Sequence, residues 1–343
     1  MKNQKPTDFA YHLTNFLSIY LPGQRGFSKH TIESYRDTFI IFLRYCSSKL
    51  SINPDKLTLS KITKPLVEGF LNWLCEENGN SVTTRNQRLS AIRSFFKYIQ
   101  EEAPEQMLKC QQIRSIPIKK HQQKAVNYLA FDGIKSVLSM PDLEKHGGRR
   151  DLCMLSLLYD TGARVSELCF IEAGHVRLEA PSTIKLFGKH NKVRFVPLMS
   201  KTVELLKAYM AEKDLLGIDK ASHPLFWNKR GEKLTPAGVR YVLNKYTDAA
   251  KQASPGILPD DISPHSFRHS KAVHLLQSGI NLIYIRDILG HADIKTTEIY
   301  AKVDPKSKRD ALESVYQNPN PDVPNSWHED KSLMAWLAAL KQS

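Results

Sequence analysis

Residues 259–301 constrain the fold more than any other stretch, because proline and glycine divide them into three short helices. Pro264 suits the first position of a helix, where no main-chain hydrogen-bond donor is needed. Gly279 is a carboxyl-terminal stop signal for that helix. Gly290 ends a second helix in the same way, and Asp293 can cap a third. The stretch therefore predicts three helices separated by sharp breaks.

The breaks decide which polar side chains of this stretch can meet. His265 and Arg268 are three residues apart and share one face of the first helix. His291 and Tyr300 are nine residues apart, and on one continuous helix they would point to opposite sides, since nine steps of about 100° come to roughly 900°. The break after Gly290 removes that restriction. Two imidazoles, a guanidinium and a phenol can then converge on one anionic group.

The charge of the chain predicts an anionic partner. The formal net charge is +14 and the isoelectric point is near 9.4, which favours a nucleic acid or an acidic membrane surface. Residues 1–120 contain 18 Lys and Arg against 10 Asp and Glu, so the surplus is not confined to a basic tail. With 343 residues the chain is long enough for two domains, each with its own core.

Hydrophobic segments and cysteines indicate a soluble, cytoplasmic protein. No run approaches the ~20 apolar residues of a membrane-spanning helix, and the amino terminus lacks the apolar core of a signal peptide. The five cysteines are odd in number, widely spaced and without a CxxC pair. This pattern argues against a disulfide framework or a zinc site and favours a reducing compartment. We therefore expect no membrane partner.

A compact unit of four or five helices is predicted for residues 1–112. Its last long helix is capped by Ser81 and has apolar side chains at three- and four-residue spacing, as expected for a buried face. The other face carries polar and basic side chains typical of DNA contacts, which are Thr84, Arg85, Arg88 and Lys97. Residues 113–127 are basic, with Lys119 and Lys120, and predict an interdomain linker that follows a phosphate backbone.

Residues 128–317 predict a second domain that is mainly helical with a small antiparallel β-sheet. Arg164 begins a helix just after Gly162, and Glu167 lies one turn later, where its carboxylate can hold the guanidinium. Three short strands follow. Lys189 lies in the hairpin between the last two strands.

Two later segments complete the predicted organisation. A helix capped by Thr235 exposes Arg240 and Lys245, which are further candidates for DNA contacts. Residues 318–343 are predicted to form a proline-rich linker and a short amphipathic helix. That helix is too short to bury its apolar side chains alone, so it predicts a docking element.

Four segments of the chain resemble the signature motifs of the tyrosine recombinase family, also called the phage integrase family. They are TGARVSEL with Arg164, FGKHNKVRFVPL with Lys189, HSFRHS with His265 and Arg268, and LGHADIKTTEIYA with His291 and Tyr300. The resemblance extends over nearly the whole chain, and all six positions match. It implies an N-terminal helical core-binding (SAM-like) domain followed by a tyrosine-recombinase catalytic domain.

The resemblance implies DNA strand exchange by transesterification, with no metal ion, nucleotide or other cofactor. Tyr300 would attack a backbone phosphate and form a 3′-phosphotyrosyl bond, which keeps the bond energy for resealing. The transition state gains negative charge on its equatorial oxygens, and Arg164 and Arg268 can clamp these with permanently charged forks. His291 can donate a further hydrogen bond to them.

Proton transfer requires two more groups in this scheme. The phenol of Tyr300 has an ordinary pKa near ~10 and needs a proton acceptor, for which His265 is the candidate. Lys189 can protonate the departing 5′-oxygen. Glu167 and His269 are expected to support the site. His265 and His269 are four residues apart, a spacing that also suits metal ligands, but the arginine between them argues against a metal.

The partners implied by the resemblance are double-stranded DNA recombination sites and further copies of the chain. A dimer would occupy one site and a tetramer would form in synapsis through the C-terminal helix. That helix can dock in trans on a neighbouring protomer or in cis on its own catalytic domain. Accessory proteins are left open.

The first functional prediction is a site-specific recombinase that acts as the integrase or transposase of a mobile element. The alternative is a Xer-like resolvase of chromosome or plasmid dimers. A type IB topoisomerase and a catalytically silent DNA-binding regulator are less favoured. A metal-dependent nuclease lacks the acidic cluster that two cations would need.

Overall fold

The computed structural model describes residues 5–120, 126–145, 147–188 and 192–301. Within these ranges the chain is mainly helical with one small antiparallel sheet, as predicted. It divides into two compact units, Met1–Lys124 and Ala125–Ser343. None of the helices in the described ranges is both long and apolar enough to span a membrane.

Five α-helices build the first unit: α1 (Asp8–Asn15), α2 (Lys29–Leu50), α3 (Lys64–Glu76), α4 (Val82–Glu102) and α5 (Met107–Arg114). The chain continues from α1 into a π-helical segment, Phe16–Gln24. Hydroxyl side chains cap the first four helices, because a hydroxyl oxygen can accept a hydrogen bond from an N–H that has no partner within the helix. The caps are Thr7, Ser28, Thr63 and Ser81.

The core of the first unit is a cluster of aromatic rings around α4. The ring of Phe95 packs edge-on against those of Phe9, Phe16 and Phe39, with centroids 5.7, 5.3 and 5.2 Å apart. The apolar side chains of α4 are buried at the predicted spacing. α4 is therefore the central helix of this unit.

α4 also holds the chain that leaves α5. The side-chain oxygen of Asn86 accepts a hydrogen bond from the Lys119 N–H at 3.1 Å, and its side-chain nitrogen donates to the Lys119 carbonyl at 2.8 Å. Arg85 donates to the same Asn86 oxygen at 3.0 Å and to the Pro117 carbonyl at 2.9 Å. The first residues of the proposed interdomain linker are thus fixed on the first unit through their main chain.

The described residues of the second unit form eight α-helices and three strands. The helices are α6 (Phe131–Leu138), α7 (Gly148–Thr161), α8 (Val165–Cys169), α9 (Ser200–Glu212), α10 (Pro236–Ala253), α11 (Pro264–Gln277), α12 (Leu282–Leu289) and α13 (Lys295–Ala301). The strands β1 (Val176–Arg177), β2 (Thr183–Phe187) and β3 (Val193–Pro197) pair in that order, all antiparallel. β1 has only two residues, because Ala173–His175 forms a turn of 3₁₀-helix before it.

The three helices predicted for residues 259–301 are present as α11, α12 and α13. Gly290 ends α12 with a φ of 66°, a left-handed conformation that glycine adopts without strain. The Asp293 carboxylate then accepts a hydrogen bond from an N–H at the start of α13. α13 packs against both α11 and α12, and Tyr300 is buried in the apolar cluster between these helices.

We expect Asn86→Ala to release the segment that ends at Lys119. The substitution removes two hydrogen bonds to the Lys119 main chain, each contributing about 1 kcal/mol, so local opening should rise roughly tenfold or more. Limited trypsin digestion of the full chain without DNA, followed by mass spectrometry, should show faster cleavage after Lys119 and Lys120. Gln87→Ala on the same helix is the matched control, because its side chain donates a hydrogen bond to Ser34 of α2 and not to the segment that ends at Lys119. Equal cleavage rates in the two variants would contradict the contact.

Candidate active site

Arg268 of α11 is a buried, fixed positive charge. Its side chain is 3% exposed. Nη1 donates a hydrogen bond to the Gly162 carbonyl and Nη2 to the Leu289 carbonyl, both at 2.6 Å. Burial, followed by the charge of Arg164, lowers the pKa of Arg268 to about 10. The guanidinium is therefore still charged at neutral pH.

Arg164 lies at the amino end of α8 and is held by Glu167, as predicted. The main-chain N–H of Arg164 donates to Oε2 of Glu167 at 2.8 Å, and Nη1 donates to Oε1 at 2.7 Å. Nη2 donates to the Gly290 carbonyl at 3.3 Å. The two contacts to one carboxylate fix both the main chain and the guanidinium of Arg164.

A third arginine, Arg194 of β3, shares the same carboxylate and was not among the predicted site residues. Nη1 and Nη2 donate to Oε1 and Oε2 of Glu167 at 3.1 and 2.7 Å, and Nε donates to the Ile288 carbonyl at 2.9 Å. The available signal was the two-residue period of β3, which places Arg194 on the same face as the buried Val196.

Glu167 is ionised within this network. It is 4% exposed and accepts four hydrogen bonds, two from each arginine. Burial alone would raise the pKa of Glu167, but the hydrogen bonds and charge of Arg194, followed by the hydrogen bonds from Arg164, lower it below its usual range. The carboxylate therefore stays negative at neutral pH and can orient both guanidinium groups.

All three arginines converge on the carboxyl end of α12. Three consecutive carbonyl oxygens there each accept a hydrogen bond from a different guanidinium. The pairs are Ile288 with Arg194, Leu289 with Arg268, and Gly290 with Arg164. Carbonyls at a helix end lack partners within the helix, and the helix dipole makes this end favourable for positive charge. The end of α12 therefore sets the spacing of the three guanidinium groups.

Tyr300 of α13 lies beside His269 of α11. The phenol oxygen is 2.9 Å from Nδ1 of His269, and Tyr300 is 1% exposed. Burial raises the pKa of Tyr300, while the charges of Arg268 and Arg164 act in the opposite direction. Burial, followed by the charges of His265 and Arg268, lowers the pKa of His269 to about 4. At neutral pH the imidazole is uncharged, so Nδ1 can accept the phenol proton.

His291 follows Gly290 and also lies beside Tyr300. The two rings are nearly parallel, with centroids 6.4 Å apart and an interplanar angle of 16°. Nδ1 of His291 is 2.8 Å from the hydroxyl oxygen of the buried Thr297. Burial, followed by the charges of Arg268 and Arg164, lowers the pKa of His291 to about 4. With Nδ1 engaged by Thr297, Nε2 is left to contact a substrate.

His265 is placed differently from the expectation that it would face the phenol. It is exposed, although its neighbours in the first turn of α11 are buried, and its ring centroid is 6.2 Å from that of His269. Within the described ranges, the imidazole in hydrogen-bond contact with Tyr300 is that of His269. His269, which was expected only to support the site, is therefore the residue next to the phenol, because α13 packs Tyr300 against that part of α11. Lys189 lies outside the described residues.

A cleft of about 500 Å³ opens beside these groups. Its lining includes Arg164, Gly188, Lys192, Arg194 and His291. The cationic side chains suit an anionic ligand of phosphate type. Across the described ranges, no three His, Cys, Asp or Glu side chains are grouped as metal ligands would be.

The predicted DNA-contact face of α4 requires correction at two positions. Arg85 is 4% exposed because it bonds the exit segment at Pro117. Arg88 is also turned inward and donates to the Ser34 carbonyl and the Thr38 hydroxyl, both at 3.0 Å. A helical-face pattern could not show this, because both side chains are engaged by segments distant in sequence.

The remaining DNA-contact candidates are more accessible. Thr84 is half-buried, with its hydroxyl 3.1 Å from that of the cap residue Ser81. The basic side chains Lys97, Lys119, Lys120, Arg240 and Lys245 are exposed. Lys97 lines a cleft of about 540 Å³ together with Arg93 and Arg114. We call this group the α4–α5 basic cleft, and it was not recognised as a unit from the sequence.

Comparisons with known families cover both units. The sequence profile of the Phage integrase family matches residues 127–307, and that of the Phage integrase N-terminal SAM-like domain matches residues 14–103. The chain is 33% identical over 338 residues to the putative integrase/recombinase y4rC of Sinorhizobium fredii, with 98% of this chain and 99% of the relative covered. It is also 33% identical over 320 residues to the tyrosine recombinase XerC of Thermodesulfovibrio yellowstonii, with 92% and 98% covered.

Solved structures show the same fold. The XerH site-specific recombinase bound to a palindromic difH substrate aligns with a TM-score of 0.65 at 24% identity, over 85% of this chain and 81% of that chain. The Tn1549 transposon integrase in complex with transposon right end DNA aligns with a TM-score of 0.66 at 18% identity, over 88% and 98%. The expected pair of domain folds is therefore confirmed.

We expect acid to destabilise the second unit through His269 and His291. Both have a folded pKa of about 4 against an ordinary value of 6.5, so between these pH values the unfolded chain binds more protons and unfolding is favoured as pH falls. In wild type the free energy of unfolding should fall between pH 7 and pH 5. In the double variant His269→Asn/His291→Asn this fall should be smaller by about 2 kcal/mol, after allowance for the partial exposure of the two imidazoles.

Urea denaturation at the two pH values, followed by circular dichroism, measures this difference. His223→Asn is the control, because that imidazole is exposed. An acid-induced loss in the double variant equal to that of wild type would show that the two imidazoles are not held neutral.

Proposed function

Because the chain belongs to the phage integrase family of tyrosine recombinases, which cut and rejoin DNA, we propose that it is a site-specific recombinase with Tyr300 as its nucleophile. The observation that carries this assignment is the buried contact of the Tyr300 hydroxyl with a neutral imidazole, beside an array of arginines. The phenol oxygen attacks the phosphorus, a 3′-phosphotyrosyl bond forms, and the 5′-oxygen leaves with a proton. A 5′-hydroxyl then reverses the step and reseals a strand.

Arg164 and Arg268 bind the non-bridging oxygens of the scissile phosphate in this proposal. Some N–H groups of each guanidinium donate hydrogen bonds to protein carbonyls or to Glu167, and these contacts fix the plane of the group. The remaining N–H groups are directed by that plane before DNA arrives. Preorganised donors of this kind each contribute roughly 10²–10³ in rate.

His269 is the proton acceptor for the phenol in this proposal, because it makes the 2.9 Å contact and is uncharged at neutral pH. His265, an exposed residue in the first turn of α11, is assigned to hydrogen bonding with the phosphate. His291 donates to a non-bridging oxygen from Nε2. Lys189 is assigned as the acid for the 5′-oxygen from its match to the family motif. Gly188 and Lys192, which flank its segment, line the same cleft as Arg164, and this supports the assignment.

The biological role is proposed at the level of site-specific recombination. One similar relative carries the name integrase/recombinase, while several others are named tyrosine recombinase XerC. These names favour a Xer-like resolvase of chromosome or plasmid dimers somewhat over the integrase or transposase of a mobile element. We keep both roles as candidates for the same chemistry.

The proposed partners are double-stranded DNA sites and further copies of this chain. Two of the similar structures are recombinases bound to DNA, a difH substrate and a transposon end. The surplus positive charge of +14 supports a DNA partner as well. The docking helix proposed for a dimer or tetramer lies in residues 318–343, outside the described residues.

Covalent capture tests the proposed nucleophile and selects a DNA site in the same experiment. The full chain is incubated in EDTA with nicked duplexes that carry random-sequence arms, and protein–DNA complexes that survive denaturation are sequenced. Wild type should enrich one site, and Tyr300→Phe should yield no covalent product because it lacks the phenol oxygen. Tyr284→Phe, at an exposed tyrosine of α12, is the matched control.

Two outcomes would overturn the proposal. Covalent product from Tyr300→Phe would place the nucleophile elsewhere, and the absence of product from wild type over all arms would remove the recombinase chemistry. The enriched duplex is called the selected site below.

DNA binding by the first unit is tested at the α4–α5 basic cleft. Lys97→Gln should weaken binding of the full chain to the selected site roughly fivefold at about 0.15 M salt. The salt slope, which is the dependence of log affinity on log salt concentration, should become shallower by about one unit, as expected for the loss of one phosphate contact. Because a phosphate contact carries no sequence information, binding to an unrelated duplex should weaken equally. Lys64→Gln is the control, since Lys64 pairs with Glu68 on α3. An unchanged salt slope for Lys97→Gln would exclude this contact.

A further inference from the structure

All three guanidinium nitrogens of Arg194 donate hydrogen bonds, and they do so to two partners at the site. Its side chain is 11% exposed. Two nitrogens form a fork on the carboxylate of Glu167, and the third donates to the Ile288 carbonyl in the last turn of α12. The fork and the carbonyl contact lie at opposite edges of one planar group. Arg194 thus connects the residue that holds Arg164 with the helix end that precedes His291.

We propose that Arg194 is a positioning residue for DNA cleavage, acting on Arg164 through Glu167 and on His291 through the carboxyl end of α12. The inference rests on the proposed function, because it assigns a role within that reaction. Arg194 itself need not touch the scissile phosphate. Its contacts decide where the donors of its neighbours point.

The charge of Arg194 matters as much as its geometry. Glu167 alone would neutralise Arg164, since one carboxylate and one guanidinium sum to zero. With Arg194 on the same carboxylate, the group of three carries a net charge of +1. The carboxylate can therefore hold Arg164 in place while the site keeps a positive potential for the phosphate.

Only arginine can make this set of contacts. A guanidinium offers several donors in one rigid plane, which match both oxygens of a carboxylate and still leave Nε for a carbonyl. A lysine ammonium at this position would keep the charge but would lose the fixed directions. Arg194→Lys therefore separates the geometric contribution from the electrostatic one.

The position of Arg194 on β3 adds the hairpin to the coupled elements. Arg194 pairs with Leu186 of β2, and one pair further along, Phe187 lies opposite Val193. The Gly188 N–H donates to the Lys192 carbonyl at 2.8 Å and closes this end of the described hairpin. The side chain of Arg194 therefore ties the end of the β2–β3 hairpin that is nearest residues 189–191 to α12.

The packing around Gly290 shows how closely Arg194 is fitted. A Cβ at Gly290 would lie 2.8 Å from Nη1 and 3.1 Å from Cζ of Arg194. The guanidinium therefore occupies the space that a side chain at the end of α12 would need. Glycine at this position serves both the left-handed turn and the close approach of Arg194.

The test compares two versions of the selected site in single-turnover cleavage at saturating protein. One carries the natural phosphodiester, and the other a methylphosphonate, in which an uncharged methyl group replaces one non-bridging oxygen. Weaker positioning of the arginines should slow cleavage of the charged phosphodiester more than that of the methylphosphonate. The rate ratio is the cleavage rate of the phosphodiester divided by that of the methylphosphonate. Both rates are measured with the same variant, so any inactive fraction of the protein cancels.

Arg194→Gln is expected to slow phosphodiester cleavage about 10–100-fold and to lower the rate ratio about tenfold, with the DNA affinity changed less than threefold. Arg194→Lys should recover part of the rate ratio through its charge. Arg177→Gln, at an exposed arginine of β1, is the matched control and should behave as wild type. The double variant Glu167→Gln/Arg194→Gln should be less impaired than the product of the two single effects, because both act through one contact.

The inference is overturned if Arg194→Gln cleaves the phosphodiester at the wild-type rate, or if it is slow with the wild-type rate ratio, which is the signature of a purely structural defect. Failure of the proposed function gives a different result, namely that wild type itself forms no covalent product at Tyr300. The two failures are therefore distinguishable.

Discussion

The carboxyl end of α12 is the constraint on which the site depends. Its last carbonyl oxygens need hydrogen-bond donors, and three arginines from three different elements supply them. These hydrogen bonds stabilise the helix end, and they also hold in place three positive charges that would otherwise repel one another. A single carboxylate, Glu167, balances only part of that charge. The surplus is left for a phosphate.

Burial controls the protonation of the groups around Tyr300. The low-dielectric surroundings that raise the pKa of Tyr300 also keep His269 and His291 neutral at physiological pH. A protonated imidazole would add to the arginine charge and could not accept a proton. The arginine cluster and the neutral imidazoles therefore support each other, and the phenol lies where both act on it.

The sequence predicted the parts of this site that depend on local rules. Glycine stops and caps located α11, α12 and α13, and three-residue spacing placed Glu167 against Arg164. Contacts between distant segments were out of reach. A four-residue spacing cannot tell whether His265 or His269 faces Tyr300, because that depends on how α13 packs. The period of β3 could place Arg194 on the buried face but could not show its partners, Glu167 and Ile288, which are distant in sequence. Arg85 and Arg88 on α4 were taken as open although distant segments engage them.

The central claim is that a buried tyrosine, placed by α13 beside the arginine cluster, carries the covalent DNA link. The most direct test is mass spectrometry of the nucleotide-bearing peptide from the captured wild-type complex. We expect the nucleotide to be attached to Tyr300, which is 1% exposed. Attachment at Tyr284 or Tyr241, which are 66% and 72% exposed, would contradict it. In that case solvent exposure of the tyrosine, and not its position beside the arginine cluster, would decide which tyrosine reacts.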